Sequence, residues 1–275
     1  MSKAVLKVLS FVAIVMIFVW STVPVLFIVI NSFRFPRDIL IYPPPINTNF
    51  SFDNYFDLAK NYPTFFGYMG NSATIAIAAT IIGVIVSACA GYVYSRFPGR
   101  FSSISGFYLI AVRLLPGLVI SIPLFPLVSY LGLMDTHVLL ILLYVTFWVS
   151  VNTFVMKAFI DQIPRELDEA AVIDGATSLQ VLFKIVLPLS AQGMVASAVF
   201  VFVASWNDYV SALIFTTQRA KTTPPVLGEI MDSVVGTNFG VLFAAATIQL
   251  VPVLLVVIIL QRWIVAGLTA GSVKG

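Results

Sequence analysis

Two groups of residues have types and spacings suited to more than packing. The first lies in 161–190, a polar stretch set between two very apolar runs. There Glu169, Ala170 and Ala171 are followed after three residues by Gly175, and after nine more by Ile185, Leu187 and Pro188. Pro164 suits the first turn of a helix, where its missing N–H is unpaired in any case. Glu166, Asp168 and Glu169 crowd the early positions, where the helix dipole favours negative charge. Gly175 stops that helix by adopting a left-handed conformation at little cost. Thr177 with Gln180 reads as a capping box, opening a second helix with Leu179, Leu182, Phe183 and Val186 along its apolar face and Pro188 at its end. Two short helices joined at a glycine, the first slim and acidic, make a plug for a groove. Glu166, Asp168, Glu169, Ala170, Ala171, Asp174, Gly175 and Pro188 are its candidate docking residues, with a plain amphipathic surface loop as the alternative.

The second group is polar and sits within apolar runs: Arg113, Asn152, and Asn207, Asp208 and Tyr209 after Trp206. Asn, Asp and Tyr together supply donors and acceptors suited to hydroxyl-rich solutes, and an intramembrane charge is by default a functional candidate. Each also has a plainer reading: Arg113 snorkels or pairs with a polar group on another helix, Asn152 bonds to a neighbouring helix, and 206–209 anchors a helix end at the interface. No Ser/His/Asp or metal-ligand constellation surrounds the single histidine, His137, and Cys89 is alone, which speaks against an enzyme, a disulfide or a metal cluster. No GxxxxGK[ST] loop occurs, so a nucleotide, if one drives this chain, is hydrolysed elsewhere.

What must position these residues is a membrane-embedded scaffold. The chain has 275 residues, 60% hydrophobic and 10% charged, with a mean hydropathy of +1.02. A span takes about 20 apolar residues, and runs of that order occur at 8–30, 72–95, 104–130, 138–156, 191–216 and 240–261. The expectation is an all-α membrane protein of six transmembrane helices in a single domain, with a loop at 158–190 and a tail at 263–275 too rich in small residues to fold alone. Nothing shows the short alternating strands of a barrel. The first run, after Lys3 and Lys7, is too long for a secretory signal and reads as a retained anchor.

With the N-terminus cytoplasmic, Lys3, Lys7, Arg96, Arg100, Lys157, Arg165, Lys184, Arg262 and Lys274 lie inside, against Arg34, Arg37, Lys60, Arg219 and Lys221 outside. That bias places both termini inside and makes the net charge of +3 a matter of topology, not of nucleic-acid binding. The turn at 96–100 reads as purely topogenic. The aromatic-rich segment 31–70, with its proline run at 42–45, reads as an interfacial belt with a short amphipathic helix at 52–60, a reading compatible with a docking surface for an external partner. Pro116, Pro123 and Pro126 mark the third run as one that faces protein or a water-filled path.

The spacing Glu-Ala-Ala, three residues, Gly, nine residues, Ile-x-Leu-Pro resembles the signature of the membrane-spanning permease subunits of bacterial ABC importers, matched here from Glu169 to Pro188 at every signature position. Arg113 to Pro116, Leu131 to Thr136, Ile163-Pro164, Trp206 to Asp208 and the ending Val273-Lys274-Gly275 are similar to the carbohydrate branch, in particular the smaller maltose-type permease. The resemblance covers nearly the whole chain. It implies a type I importer permease fold in the bacterial inner membrane, a second permease subunit as heterodimer partner, two ATPase subunits that carry ATP and Mg, and an extracytoplasmic solute-binding protein. It further implies that the helix bearing Glu169, Ala170, Ala171 and Gly175 docks in a cleft of the ATPase, that this chain is non-catalytic and holds no cofactor, and that the cargo is a sugar or sugar-like solute. Rival readings are a permease of the same machinery for another solute, such as a glycerophosphodiester or polyamine, and a stand-alone secondary transporter.

Overall fold

A computed structural model describes residues 3–41, 50–232 and 236–270, and every regular element among them is helical. The proline run at 42–45 and the ending at 273–275 lie outside the described residues, as do the side chains of Lys3 and Arg262. In chain order the helices are α1 (Lys3–Ser32), α2 (Pro36–Ile39), α3 (Asp53–Asn61), α4 (Phe65–Arg96), α5 (Arg100–Arg113), α6 (Gly117–Tyr130) and α7 (His137–Ile160). They continue with α8 (Arg165–Ile173), α9 (Ser178–Leu189), α10 (Ala191–Trp206), α11 (Val210–Phe215), α12 (Thr223–Met231) and α13 (Phe239–Ala270).

Among the described residues, four helical stretches are long and apolar enough to cross a membrane: Val5–Ser32, Phe65–Arg96, His137–Ile160 and Phe239–Gln261. Two further candidates are broken. The run expected at 104–130 is the pair α5 and α6, bent by 95° at residues 114–116. Pro116 offers no N–H to the helical ladder, and its ring drives Leu115 away from the helical region. Pro123 and Pro126 lie on the exposed side of α6 in this chain. The run at 191–216 is interrupted at 207–209, and α10 meets α9 at 78°. The last helix carries on through Ala270, so the segment from 263 onward, expected not to fold alone, begins as a helical extension. No proline interrupts that extension, and an existing helix lengthens far more readily than a new one nucleates.

Contacts divide the chain into two units, 1–66 with 226–251, and 67–225 with 252–275. In the first, α3 forms where the short amphipathic helix is expected. Its buried Asn54 donates from Nδ2 to the carbonyls of Ser32 (2.8 Å) and Arg34 (2.7 Å), tying α3 to the end of α1. Gly240 provides the room for that side chain, since a Cβ there would collide with Asn54. The rest of α1 is unlike a core helix: none of its most apolar window is buried.

The second unit holds the candidate sites. Its helices approach closely where side chains vanish, as membrane helices do when small residues let backbones meet. A Cβ on Gly91 of α4 would sit 2.9 Å from the backbone nitrogen of Lys157 on α7, and one on Gly193 of α10 would overlap the ring of Phe159 at 2.6 Å. Buried clusters fill the space between them, two of which bear on the sites. One gathers Ile75, Ala79, Leu140, Tyr144, Ala212 and Phe215. The other gathers Ala88, Tyr92, Met156, Ile160 and, from the polar stretch, Val181, Leu182 and Val186.

Candidate functional site

The stretch 161–190 folds as its caps dictate. Pro164 stands at the N-cap of α8, one position before the first turn, with Glu166 and Asp168 in that turn. Gly175 takes φ +86°. The Gly175 N–H donates to Val172 O (3.0 Å) and the Ala176 N–H to Ala171 O (2.9 Å), the paired bonds of a Schellman stop. Both bonds of the Thr177–Gln180 capping box form. The ladder widens to π-type spacing over Leu182–Val186, ahead of Pro188, whose missing N–H and bulky ring disfavour an ordinary α-helical turn there.

That widening changes which face is buried. Leu182 and Val186 face the core as expected, joined by Val181, but Leu179 and Phe183 are 67% and 54% exposed. Leu167, Val172 and Ile173 of α8 are exposed as well, the last 86%. Glu166, Glu169, Ala170, Asp174 and Pro188 are exposed, and Ala171 is half-buried against the core cluster.

Asp168 differs from its acidic neighbours, and this corrects the expectation that all of them remain free for docking. Its Oδ2 accepts from Arg96 Nε at 2.6 Å, with the two side chains only 14% and 7% exposed. Arg96 is therefore more than the topogenic residue it looks like in the sequence. Nearby, Asp161 accepts from Ser95 Oγ (2.7 Å) and from Lys157 Nζ. Partial burial works against its charge, but the Lys157 and Ser95 bonds and the attraction of Lys157 and Arg96 hold its carboxyl below the usual range.

The second group of candidates is only partly brought together. Asp208 lies at the break between α10 and α11, where its Oδ1 accepts from the N–H groups of Ser211 (2.9 Å) and Ala212 (3.3 Å), so it starts α11 as an N-cap does. The same oxygen accepts from the hydroxyl of Tyr144 on α7 at 3.2 Å. The Ser211 side chain adds a hydrogen bond to the same carboxylate. Asp208 borders a cavity of about 260 Å³ lined by Ser121, Tyr144, Phe147, Trp148 and Ser211. Arg113 reaches the same aromatics from behind: its guanidinium lies 3.9 Å from the Phe147 ring centre and 4.2 Å from that of Trp148. Such stacking stabilises a cation on a ring face, a partner that neither snorkelling nor a polar pair describes.

Asn207, Tyr209 and Asn152 do not line this cavity. Asn207 is exposed and donates to Val203 O (2.8 Å), while Asn152 is fully buried and donates to Trp148 O on its own helix (2.9 Å). Tyr144, Phe147 and Trp148, which line the cavity, are not among the sequence candidates. Their spacing of three and four on one helix face is the signal that carries them.

A third feature fastens the loops at one end of this unit. Asp135 adopts φ +57° between α6 and α7. Its carboxylate accepts from the Thr217 hydroxyl (2.8 Å) and from the N–H groups of Thr217, Gln218, Arg219 and Ala220. Asn71 adds bonds to Arg219 O and Lys221 O, and pairs with His137 Nε2 at 2.9 Å.

Comparison with known proteins decides what scaffold this is. Residues 79–270 match the family model described as binding-protein-dependent transport system inner membrane component. The chain belongs to this permease family. The permease is 36% identical to the trehalose transport system permease protein SugB of Mycobacterium tuberculosis over 262 residues, covering 93% of each chain. It is 30% identical to the trehalose/maltose transport system permease protein MalG of Thermococcus litoralis over 279 residues, covering both chains entirely. Its fold is that of a chain in the crystal structure of a bacterial ABC transporter involved in the import of the acidic polysaccharide alginate. The TM-score is 0.75 at 18% identity, with 95% of the permease and 98% of that chain covered.

Proposed function

We propose that the permease is one membrane-spanning half of an ATP-driven importer that moves a sugar or sugar-like solute across the bacterial inner membrane. In this reading the chain makes six crossings with both termini cytoplasmic: the four long helices, the pair α5 and α6 as one span, and α10 running on into α11 as the other. It pairs with a second permease, receives solute from an external binding protein, and couples to two ATPase subunits that bind ATP and Mg.

The observation that carries the reading is the geometry of α8 and α9. A helix stopped by a left-handed glycine presents Glu166, Glu169, Val172 and Ile173 outward, and α9 exposes Leu179 and Phe183. Exposed apolar groups flanked by carboxylates suit a protein cleft better than water. An ATPase closing on nucleotide moves whatever is docked in it. Such a movement exchanges inward and outward openings if the two arrangements differ in their contacts.

The cavity at Asp208 is the solute path on this side of the transporter. The Asp208 carboxylate offers an acceptor to a sugar hydroxyl, Ser121 and Ser211 line the wall, and Phe147 and Trp148 offer apolar faces to a sugar ring. The names of the trehalose and maltose relatives support a sugar as cargo. The test is uptake of labelled trehalose or maltose into vesicles carrying the whole importer. Accumulation that needs ATP on the α8 side and binding protein on the other supports the reading; uptake without nucleotide contradicts it.

A further inference from the structure

We propose that Arg96 and Asp168 form the latch through which movement of α8 enters the membrane helices, an inference that rests on the reading of α8 as the ATPase-docking helix. Arg96 is the last residue of α4, yet its guanidinium touches three other parts of the chain. Nε donates to Asp168 Oδ2 on α8 (2.6 Å), Nη1 to Ile160 O at the end of α7 (3.3 Å), and Nη2 to Ile163 O in the linker (3.0 Å). In return Arg165, the first residue of α8, donates from Nη2 to Ser95 O at the end of α4 (2.8 Å). Each helix therefore sends one arginine to the other.

Asp161 completes the clamp by accepting from Ser95 on one side and Lys157 on the other. The ends of α4 and α7 and the start of α8 are thereby joined as one body. Charge-assisted bonds of this kind are short and directional, and a planar guanidinium fixes orientation as well as distance. A buried ion pair is a poor source of net stability, but it can hold one arrangement against others. Here that arrangement makes a push on α8 turn α4 and α7, where a flexible linker would absorb it.

The latch lies in the inner wall of the groove that Glu169 borders. Arg96 and Asp168 are turned inward, whereas Glu169, one residue on, is exposed. Loss of the latch therefore leaves the ATPase bound and its work untransmitted. Arg96 and Asp168 are positioning residues, and what they set is the solute moved per ATP.

The test compares reconstituted importer containing the native chain, Arg96→Met, Asp168→Asn, the double variant, and Glu169→Lys. It reads ATPase recovered on purification and solute accumulated per ATP hydrolysed. The latch predicts ATPase recovery within twofold of native for the first three variants, a fall of at least tenfold in solute per ATP, and a double variant no worse than Arg96→Met alone. Glu169→Lys, in contrast, loses the ATPase. Native solute per ATP in Asp168→Asn overturns the latch, as does loss of ATPase matching Glu169→Lys, which makes Asp168 a docking residue. If Arg96→Met does not reach the membrane, Asp168→Asn decides by itself. Failure of the native chain to recover any ATPase overturns the docking reading instead.

Discussion

The hydroxyl of Tyr144 meets Asp208 Oδ1 at 3.2 Å, joining the middle of α7 to the break after α10. The same oxygen accepts from the N–H groups of Ser211 and Ala212, so the carboxylate is held from two helices at the edge of the cavity. Asp208→Asn keeps an oxygen that can cap α11 but removes the charge. We expect the importer to assemble and its uptake to fall at least tenfold. Asp208→Ala also removes the cap, adding a loss of about 1 kcal/mol in stability. Tyr144→Phe leaves the two backbone donors in place and costs about 1 kcal/mol. Vesicle uptake and thermal unfolding, measured side by side, separate the two effects.

Close backbone approach makes a second prediction. Gly91→Val has no room, since even a Cβ meets Met156 Cβ at 2.8 Å and the Lys157 nitrogen at 2.9 Å. Overpacking at such a site costs about 1–3 kcal/mol. Gly83→Ala is the control, because its Cβ would make ordinary contact with Val201 at 3.6 Å. Unfolding midpoints in detergent should fall for the first and stay near native for the second.

Asp135 gives the account a pH dependence. Partial burial alone would raise its carboxyl, but the N–H groups of Ala220, Arg219 and Thr217 and the Thr217 hydroxyl outweigh burial and bring it below the usual range. A carboxyl lowered on folding contributes stability above its unfolded value of about 4, and that contribution fades as pH falls toward the folded value. The native unfolding temperature should therefore drop below about pH 4, and Asp135→Asn should show a lower plateau with a shallower drop. Asn tolerates the positive φ, so the substitution tests the charge and not the backbone. Equal slopes in the two proteins would remove Asp135 from the explanation.

Gly175 is a conformational requirement and not a spatial one: its φ is +86° and nothing lies within 4 Å of an added Cβ. Gly175→Val should cost about 1–2 kcal/mol locally, redirecting α8 without unfolding the membrane helices. Binding of the ATPase should weaken severalfold, with unfolding temperature near native. Gly175→Asn should weaken it less.

How much of this is legible in the sequence depends on how local each cause is. Caps are local, so Gly175 and the Thr177–Gln180 box are readable from neighbours alone. The buried face of α9 is not, because an α-helical period places Leu179 and Phe183 with Leu182, and the π-type turn before Pro188 shifts the face to Val181, Leu182 and Val186. The Arg96–Asp168 pair spans 72 positions and depends on the packing of α4 beside α7. Arg113 is legible as an anomaly, but its aromatic partners come from another helix whose register the sequence does not give. Asn207 and Asp208 look alike in the sequence, yet the helix break turns one toward its own helix and the other toward the cavity.

The most direct test of the central claim is co-purification of the tagged permease with its partner subunits, native against Glu169→Lys. Glu169 lies exposed in the groove that Arg96 and Asp168 also line, and the variant reverses its charge at the surface while leaving the Arg96–Asp168 pair itself unaltered. The account predicts stoichiometric ATPase with the native chain and its loss with the variant, both proteins being folded. Equal recovery and equal transport for the two would contradict docking through this helix.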